Sequence, residues 1–496
     1  MTEEAKADYQ LLMTIKKLDN FQIDNVPCKI FLPKKLIDPI NIHFYITQEH
    51  LSLTRHLFEF SIEGILRNTA GEITGKINAS KVYSKGINIR NFGSDFQENI
   101  LIGDPIDFQI TNFLNNEYND ENANVNSSIY FWLTPNVLLS PVQIIERSYT
   151  GEVKVETIHK FEFLLANFIP VIFTNHHRYL DNKESNDIVT FTELVAECKA
   201  DLQSQKLEDI LNYLDDFLAI VSFITRQRCL CLGWQLVCSK YFTKFYRRNL
   251  ALPTNIQENS IEETIVDKSK FKGFIETAYE NFLVIEPKIL IRQAIYSYIS
   301  ANEQATLESS FTRLYSVLET LVLNFRRQNE LEFVLSQDDW KVFEKEIKKW
   351  IKKYPDLEAT PEKRQLIYEK VAELNRVSFS TAFKQFCDSL QLDLKDIWNV
   401  TGKTSLTEIR NKLVHGDTFN KSQLYSLSVA LQHLNWIVER AILSVFGWPI
   451  SESRVSKEFL ANNMNLYQNW ESERQLLAKY TENIILPIND APQNEV

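Results

Sequence analysis

Residues 307–328 read LESSFTRLYSVLETLVLNFRRQ. Leu307, Phe311, Leu314, Leu318, Leu321, Val322 and Phe325 recur every three or four positions, which puts them on one face of an α-helix. A helix with one long apolar face must bury it against other elements. The sequence supplies partners downstream. Trp340, Phe343, Ile347, Trp350 and Ile351 form a second stripe. Thr360-Pro361 opens a third helix in the N-cap and N1 positions, with Leu366, Ile367, Val371 and Leu374 as its expected buried face. Leu424, Leu427, Leu431, Leu434, Val438, Ala441 and Val445 make a long fourth. Residues 273–446 are therefore expected to form a helical bundle whose stripes are core. A further helix and a tail, Pro487–Val496, are expected after Trp448.

Upstream the period is two, not 3.6. Ile42-His-Phe44-Tyr-Ile46, Phe58-Glu-Phe60-Ser-Ile62, Ile106-Asp-Phe108-Gln-Ile110, Ile129-Tyr-Phe131-Trp-Leu133 and Phe161-Glu-Phe163 alternate apolar and polar residues. Such segments, separated by short polar links, indicate an antiparallel sheet with one buried face. The Asn-rich, acidic stretch Asn115–Ser128 reads as an exposed loop. Helical spacing appears at Leu207, Ile210, Leu211, Leu214, Phe217, Leu218 and Val221, followed by a β-like piece from Cys229 to about Phe245. A basic cluster, Lys244-Phe-Tyr-Arg-Arg248, and a polar linker, Pro253–Lys272, come next. The expected class is α+β: an antiparallel β-rich domain (1–190), a helical/β connecting region (191–265), the helical bundle (273–446) and a C-terminal helix and tail (447–496). No internal repeat is evident.

Composition narrows the function classes. The 496 residues carry 54 basic and 65 acidic side chains, a net charge of −11, which suits a globular protein and not a general nucleic-acid binder. The 12 glycines and 14 prolines are few, and no GxGxxG or GxxxxGK[ST] phosphate loop occurs. No apolar stretch follows a basic start at Met1–Gln10, and the longest apolar runs, such as Phe217–Ile224, are too short to span a bilayer. A cytoplasmic location without a membrane partner is expected. Six cysteines (Cys28, Cys198, Cys229, Cys231, Cys238, Cys387) make no disulfide framework. Cys229, Cys231 and Cys238 lack the second ligand pair of a zinc site and read as small apolar residues of a buried strand. Adjacent His176 and His177 point to opposite faces of a strand, so they read as a surface pair.

The segment that carries chemistry is Ser405-Leu-Thr-Glu408-Ile-Arg410-Asn411-Lys412-Leu413-Val414-His415-Gly416-Asp417. Ser405 and Glu408 fit a capping box that starts a helix, and Gly416 fits the left-handed residue that ends one. Asn411 and His415 are four apart and share a face. Arg410 is one position back, within reach of the same patch. Ile409, Leu413 and Val414 are the expected buried side. Arginine, asparagine and histidine are thus gathered at one helix end. The alternative is bland: Arg410 pairs with a neighbouring acid and His415 caps the helix. Local charge favours this region as a polyanion contact. Residues 401–450 hold five basic and three acidic groups, whereas residues 101–150 hold one and six.

Arg410-Asn-Lys-Leu-Val-His415 resembles the R-x4-H motif of the HEPN superfamily, with the polar residue that typically follows the arginine. The helices Glu308–Gln328 and Leu374-Asn-Arg-Val-Ser-Phe379 precede it as in that family, and a long closing helix follows. The resemblance covers residues 273–446. The whole layout, a β-rich part before the bundle, is similar to ApeA-type bacterial antiphage defence proteins.

The resemblance implies a metal-independent endoribonuclease with no cofactor, acting on RNA, with tRNA among the candidates, as a toxin-like abortive-infection effector. Arg410, Asn411 and His415 would be catalytic. Histidine can move a proton near neutral pH, arginine's fork matches phosphate oxygens, and a helix C-terminus attracts cations, which suits a general acid there. Glu319 is the position matching an acidic residue that other members carry in an earlier helix. Lys412, Arg326 and Arg327 are candidate RNA contacts, although Arg326-Arg327 fits a helix C-terminal charge equally well. His433 reads as a packed core histidine. HEPN sites are usually composite, so a homodimer through the bundle is implied. A non-catalytic HEPN scaffold is the alternative.

Overall fold

The computed structural model describes residues 7–482 apart from 18–20, 34–37, 39, 47–58, 66–70, 85–98, 114–125, 148–152, 183–186, 202–205, 239–240, 248–260, 305, 356–359 and 417–418. The fold is α+β, as the two periods require. The chain divides into two compact units, residues 1–221 with 227–261, and residues 222–226 with 262–496.

The first unit is a 12-stranded, wholly antiparallel sheet plus a separate hairpin. Its strands are β1 (Tyr9–Lys17), β2 (Phe21–Phe31), β3 (Asn41–Ile46), β4 (Glu59–Ile65), β5 (Gly71–Ser84), β6 (Asn99–Phe113), β7 (Asn126–Leu133), β8 (Val142–Arg147), β9 (Val153–His159), β10 (Phe161–Leu165), β11 (Ile169–Asn182), β12 (Asp187–Asp201), β13 (Cys231–Val237) and β14 (Tyr241–Arg247). The sheet order is β10-β11-β12-β7-β13-β14-β6-β3-β2-β1-β4-β5, and β5 also pairs with β6. That extra pairing closes β1–β6 into a ring, which removes their free edges. The inward residues of the alternating strands fill it: Leu11, Met13, Ile15, Cys28, Ile30, Ile42, Phe44, Ile62, Ile73, Phe108 and Ile110 are all buried. The helix α1 (Leu207–Thr225) sets Phe217 against Phe161, Phe163 and Phe173, with ring centroids 6.3, 4.9 and 5.3 Å away.

The second unit is helical: α2 (Phe271–Ile289), α3 (Ile291–Asn302), α4 (Leu307–Gln328), α5 (Gln337–Lys352), α6 (Pro361–Val371), α7 (Phe379–Ser389), α8 (Leu406–Val414), α9 (Leu424–Val445), α10 (Lys457–Asn463), α11 (Asn465–Gln468) and α12 (Trp470–Glu482). The quoted helix α4 is its hub and packs against α2, α3, α7, α8 and α9. Helix α9 is buried on nearly all sides between His433 and Leu443, more than a stripe, and it carries two buried charges. Arg226 grips Glu439 with Nε 2.7 Å and Nη2 3.0 Å from its carboxylate oxygens, and the Tyr298 hydroxyl donates to Oε1. The next residue, Arg440, forks onto Asp396 at 2.7 and 2.8 Å. Tyr467 donates to the same carboxylate at 2.7 Å. Burial pushes the Asp396 carboxyl up, but Arg440 and the Tyr467 hydroxyl outweigh it and hold it below the usual range. His433 is fully buried, as expected. Its Nδ1 accepts from the Trp398 N–H at 3.3 Å, which leaves Nε2–H to donate to the Leu466 carbonyl at 3.3 Å.

Several expectations need correction. Strand β12 runs through residue 190, and β13 and β14 lie inside the large sheet, so 191–247 is not a separate connecting piece. The boundary between the two units, after Ile261, falls inside the expected linker Pro253–Lys272, and the chain beyond it packs into the helical unit. Thr264, Ile265 and Val266 are buried, and Val266 bridges Ser453. The faces of α5 and α6 are largely uncovered. Trp350 is 67 % exposed, Phe343 49 %, Leu366 64 % and, in the turn that follows α6, Leu374 61 %; of the expected face only Ile351 and Val371 are buried. A helical period shows which residues share a face, not whether anything covers it. Most of Asn115–Ser128, Arg248 and Pro487–Val496 lie outside the described residues. Asn126, Ser127 and Ser128 begin β7 instead of ending a loop.

The thiols of Cys229, Cys231 and Cys238 are buried, and those of Cys231 and Cys238 donate to the Gly233 and Tyr241 carbonyls at 3.3 and 3.1 Å. Burial pushes Cys229 and Cys231 up to about 12. His176 is exposed on β11, opposite Glu193.

Candidate functional site

Helix α8 is fixed at its start by four hydrogen bonds. Ser405 accepts a hydrogen bond from the Glu408 N–H at 3.4 Å, the forward half of a capping box. Glu408 reaches back at 2.6 Å, but to the Thr404 N–H and not to that of Ser405. The Trp398 indole donates to the Thr404 carbonyl at 2.9 Å, and the Leu406 N–H to the Asn399 carbonyl at 3.0 Å. Leu406 and Ile409 anchor the buried side. Val414, expected there, is 54 % exposed because the helix ends beside it.

Arg410 leaves this helix toward α4. Its Nη2 lies 3.2 Å from Glu319 Oε1, and its Nη1 donates to Asn411 Oδ1 at 3.2 Å. The guanidinium carbon stands 5.9 Å from the centroid of the Tyr315 ring, within cation–π range. The Thr407 hydroxyl donates to the Val400 carbonyl at 2.6 Å, so the Tyr315 hydroxyl is the donor in its 2.7 Å bond to Thr407. Burial pushes the Tyr315 phenol up to about 12. The arginine is thus held by a carboxylate, an amide oxygen and an aromatic face. Both members of the ion pair stay about one third exposed, so its charge remains open to solvent and to a ligand.

His415 caps α8, with φ −80° and ψ 0°, and its N–H donates to the Asn411 carbonyl at 3.0 Å. Gly416 follows at φ +88°, the left-handed conformation expected of it. Asn411 and His415 are both exposed, so the imidazole meets solvent at the end of the helix that carries Arg410.

The other candidates are elsewhere. Lys412 projects from α8 about half a turn round from Arg410 at ~100° per residue. It lines a shallow pocket with Thr404, Glu408, Phe419 and Arg474. Arg326 donates to the carbonyls of Val377 and Glu332 at 3.3 and 3.2 Å, and Arg327 pairs with Glu332 at 3.3 Å. Both serve the chain that leaves α4.

Tyr315 was missed by the sequence reading. It sits four residues before Glu319 and so shares its face. The apolar stripe of that helix does not include it. Among the described residues no three His, Cys, Asp or Glu side chains are gathered to hold a metal ion. No protein-family model, curated protein or solved structure matches the chain.

Proposed function

We propose that the helical unit is a HEPN-type, metal-independent endoribonuclease, with Arg410 and His415 as its catalytic pair and antiphage defence as its setting in the cytoplasm. The observation that supports the reading is Arg410, held but solvent-open in the middle of α8, with His415 exposed at the C-terminal end of the same helix.

RNA carries its own nucleophile, the 2′-hydroxyl. In the proposed reaction the 2′-oxygen attacks phosphorus and gives its proton to a general base. The P–O5′ bond breaks, and a general acid protonates the leaving 5′-oxygen. The products are a 2′,3′-cyclic phosphate and a 5′-hydroxyl. Arg410 would exchange part of its contact with Glu319 for a phosphate oxygen and stabilise the charge that develops there. Asn411 would orient Arg410 or hold a second phosphate oxygen. One imidazole cannot act as base and acid in the same step, so two copies of α8 facing each other would supply both, in an isologous homodimer.

A second reading, a non-catalytic HEPN scaffold, is favoured by the same ion pair, since Glu319 neutralises Arg410. Incubating the purified protein with RNA in EDTA separates the two readings. The ribonuclease cleaves and leaves 5′-hydroxyl ends; the scaffold leaves the RNA intact.

A further inference from the structure

One face of α5 carries Lys341, Lys345, Lys348, Lys349 and Lys352. The spacing of four, three, one and three residues keeps all five on one side of the helix. Together with Tyr368 of α6 they line an open groove, in which Glu344 is the single acid. The Lys348 ammonium lies over the Tyr368 ring at 5.9 Å, and the Tyr368 hydroxyl donates to the Lys348 carbonyl at 3.1 Å. The second contact fixes the ring at the groove wall. Three of the lysines are paired with acids of their own helix: Lys341 with Asp338, Lys348 with Glu344 and Lys349 with Glu346. Their side chains are nevertheless 65, 41 and 56 % exposed, and pairs of that kind contribute little. Lys345 and Lys352 form no ion pair among the described residues.

We propose that this groove binds the phosphate backbone of RNA, as a docking site apart from Arg410 and His415. The occupant follows from shape and charge. Lys352 lies eleven positions after Lys341, so the row runs ~16 Å at 1.5 Å per residue. A polyanion with regularly spaced charges matches a straight row of cations, and a fixed aromatic ring at the groove wall gives a base somewhere to stack. A protein of net charge −11 repels RNA elsewhere, so a cationic groove concentrates the contact. An anionic membrane fits less well. The exposed aromatic residues of α5, Trp350 and Phe343, project roughly opposite Lys345, and Val342 alone of its exposed apolar residues borders the lysines, so one flat surface cannot engage both the aromatic side and the row. As a place for the substrate, the groove rests on the ribonuclease reading; as an RNA-binding surface it is tested without it.

The test uses the full chain with His415→Ala, so that bound RNA persists, and a labelled oligouridylate as probe. Replacing Lys345, Lys349 and Lys352 together with Gln should weaken binding about tenfold or more. It should also flatten the dependence of log K on log salt by about 2, since each lost phosphate contact removes ~0.7 on a single strand. Lys345→Gln alone should remove about 0.7 and guards against a triple variant that does not fold. In the protein with His415 intact, the triple variant should raise the RNA concentration needed for half-maximal cleavage and leave the limiting rate unchanged. Binding and salt slope unchanged in both variants would overturn the inference. So would lysine-dependent binding to phosphatidylserine vesicles without binding to the oligouridylate. If binding follows the lysines but the wild-type protein cuts no RNA, the docking groove stands and the ribonuclease reading falls.

Discussion

Arg410 on α8 pairs with Glu319 on α4 at 3.2 Å, across 91 residues of sequence. The contact joins the short motif helix to the hub of the bundle and aims the guanidinium over Tyr315. On the proposed chemistry Glu319 is a positioning residue. Glu319→Gln keeps the shape and removes the charge. Cleavage should then persist with a changed KM for RNA, because a guanidinium freed of its carboxylate binds phosphate more readily but is held less firmly. Equal KM and kcat in both proteins would show that the pair only holds the fold.

Arg410→Ala and His415→Ala should each lower the cleavage rate by ~10²–10⁴, the range for loss of a general acid or base, with the phosphate-facing arginine costing a comparable factor. His415 is exposed, so its replacement should change stability by no more than about 1 kcal/mol. Thermal melts beside rates check this. Unfolding in His415→Ala would make the capping role the better account.

The homodimer is checked by dilution. If two α8 helices complete one site, specific activity should fall as the protein is diluted below the dissociation constant found by sedimentation. A monomer that keeps full activity would leave each site complete in one chain.

Much of the fold was legible because it is written in local periods. The alternation of Ile42-His-Phe44-Tyr-Ile46 and the stripe of α4 give strand and helix directly, and Ser405 and Gly416 mark both ends of α8. Ring closure was not legible. It depends on β5 pairing with β6 as well as β4, a long-range match that no single strand records. Nor could the stripe of Trp340, Phe343 and Trp350 reveal that α5 leaves its apolar side uncovered. Arg410, His415 and Glu319 could be picked out; Tyr315 could not, because its place beside Arg410 depends on how α8 packs on α4. The lysine row of α5 was hidden too, because Glu344 and Glu346 interrupt it in sequence, while on the folded helix only Glu344 stays in the groove.

His433 provides a pH signature for the fold. Burial lowers its titration from 6.5 to about 4. Between those values the unfolded chain takes up a proton that the folded protein refuses, so stability is complete above pH 6.5 and falls as the pH drops toward 4. The loss approaches an order of 3 kcal/mol, at 1.36 kcal/mol for each pKa unit. Urea titrations of wild type and His433→Phe across this range should show the steeper decline in wild type. Parallel curves would contradict it.

Glu439→Ala leaves the Arg226 guanidinium and the Tyr298 hydroxyl without their shared acceptor. Breaking a buried pair costs roughly 3–5 kcal/mol; about 3 is expected here, since Arg226 is 24 % exposed. A melting temperature unchanged from wild type would remove this network from the account of stability.

The most direct test of the proposed chemistry is the state of the RNA ends. Purified wild-type protein and His415→Ala are incubated with RNA in excess EDTA, and the products are ligated and sequenced with and without 5′-phosphorylation. The account requires cleavage by wild type alone, with 5′-hydroxyl ends and 2′,3′-cyclic or 3′-phosphates. Fragments with 5′-phosphates, activity abolished by EDTA, or equal cleavage by His415→Ala would contradict it.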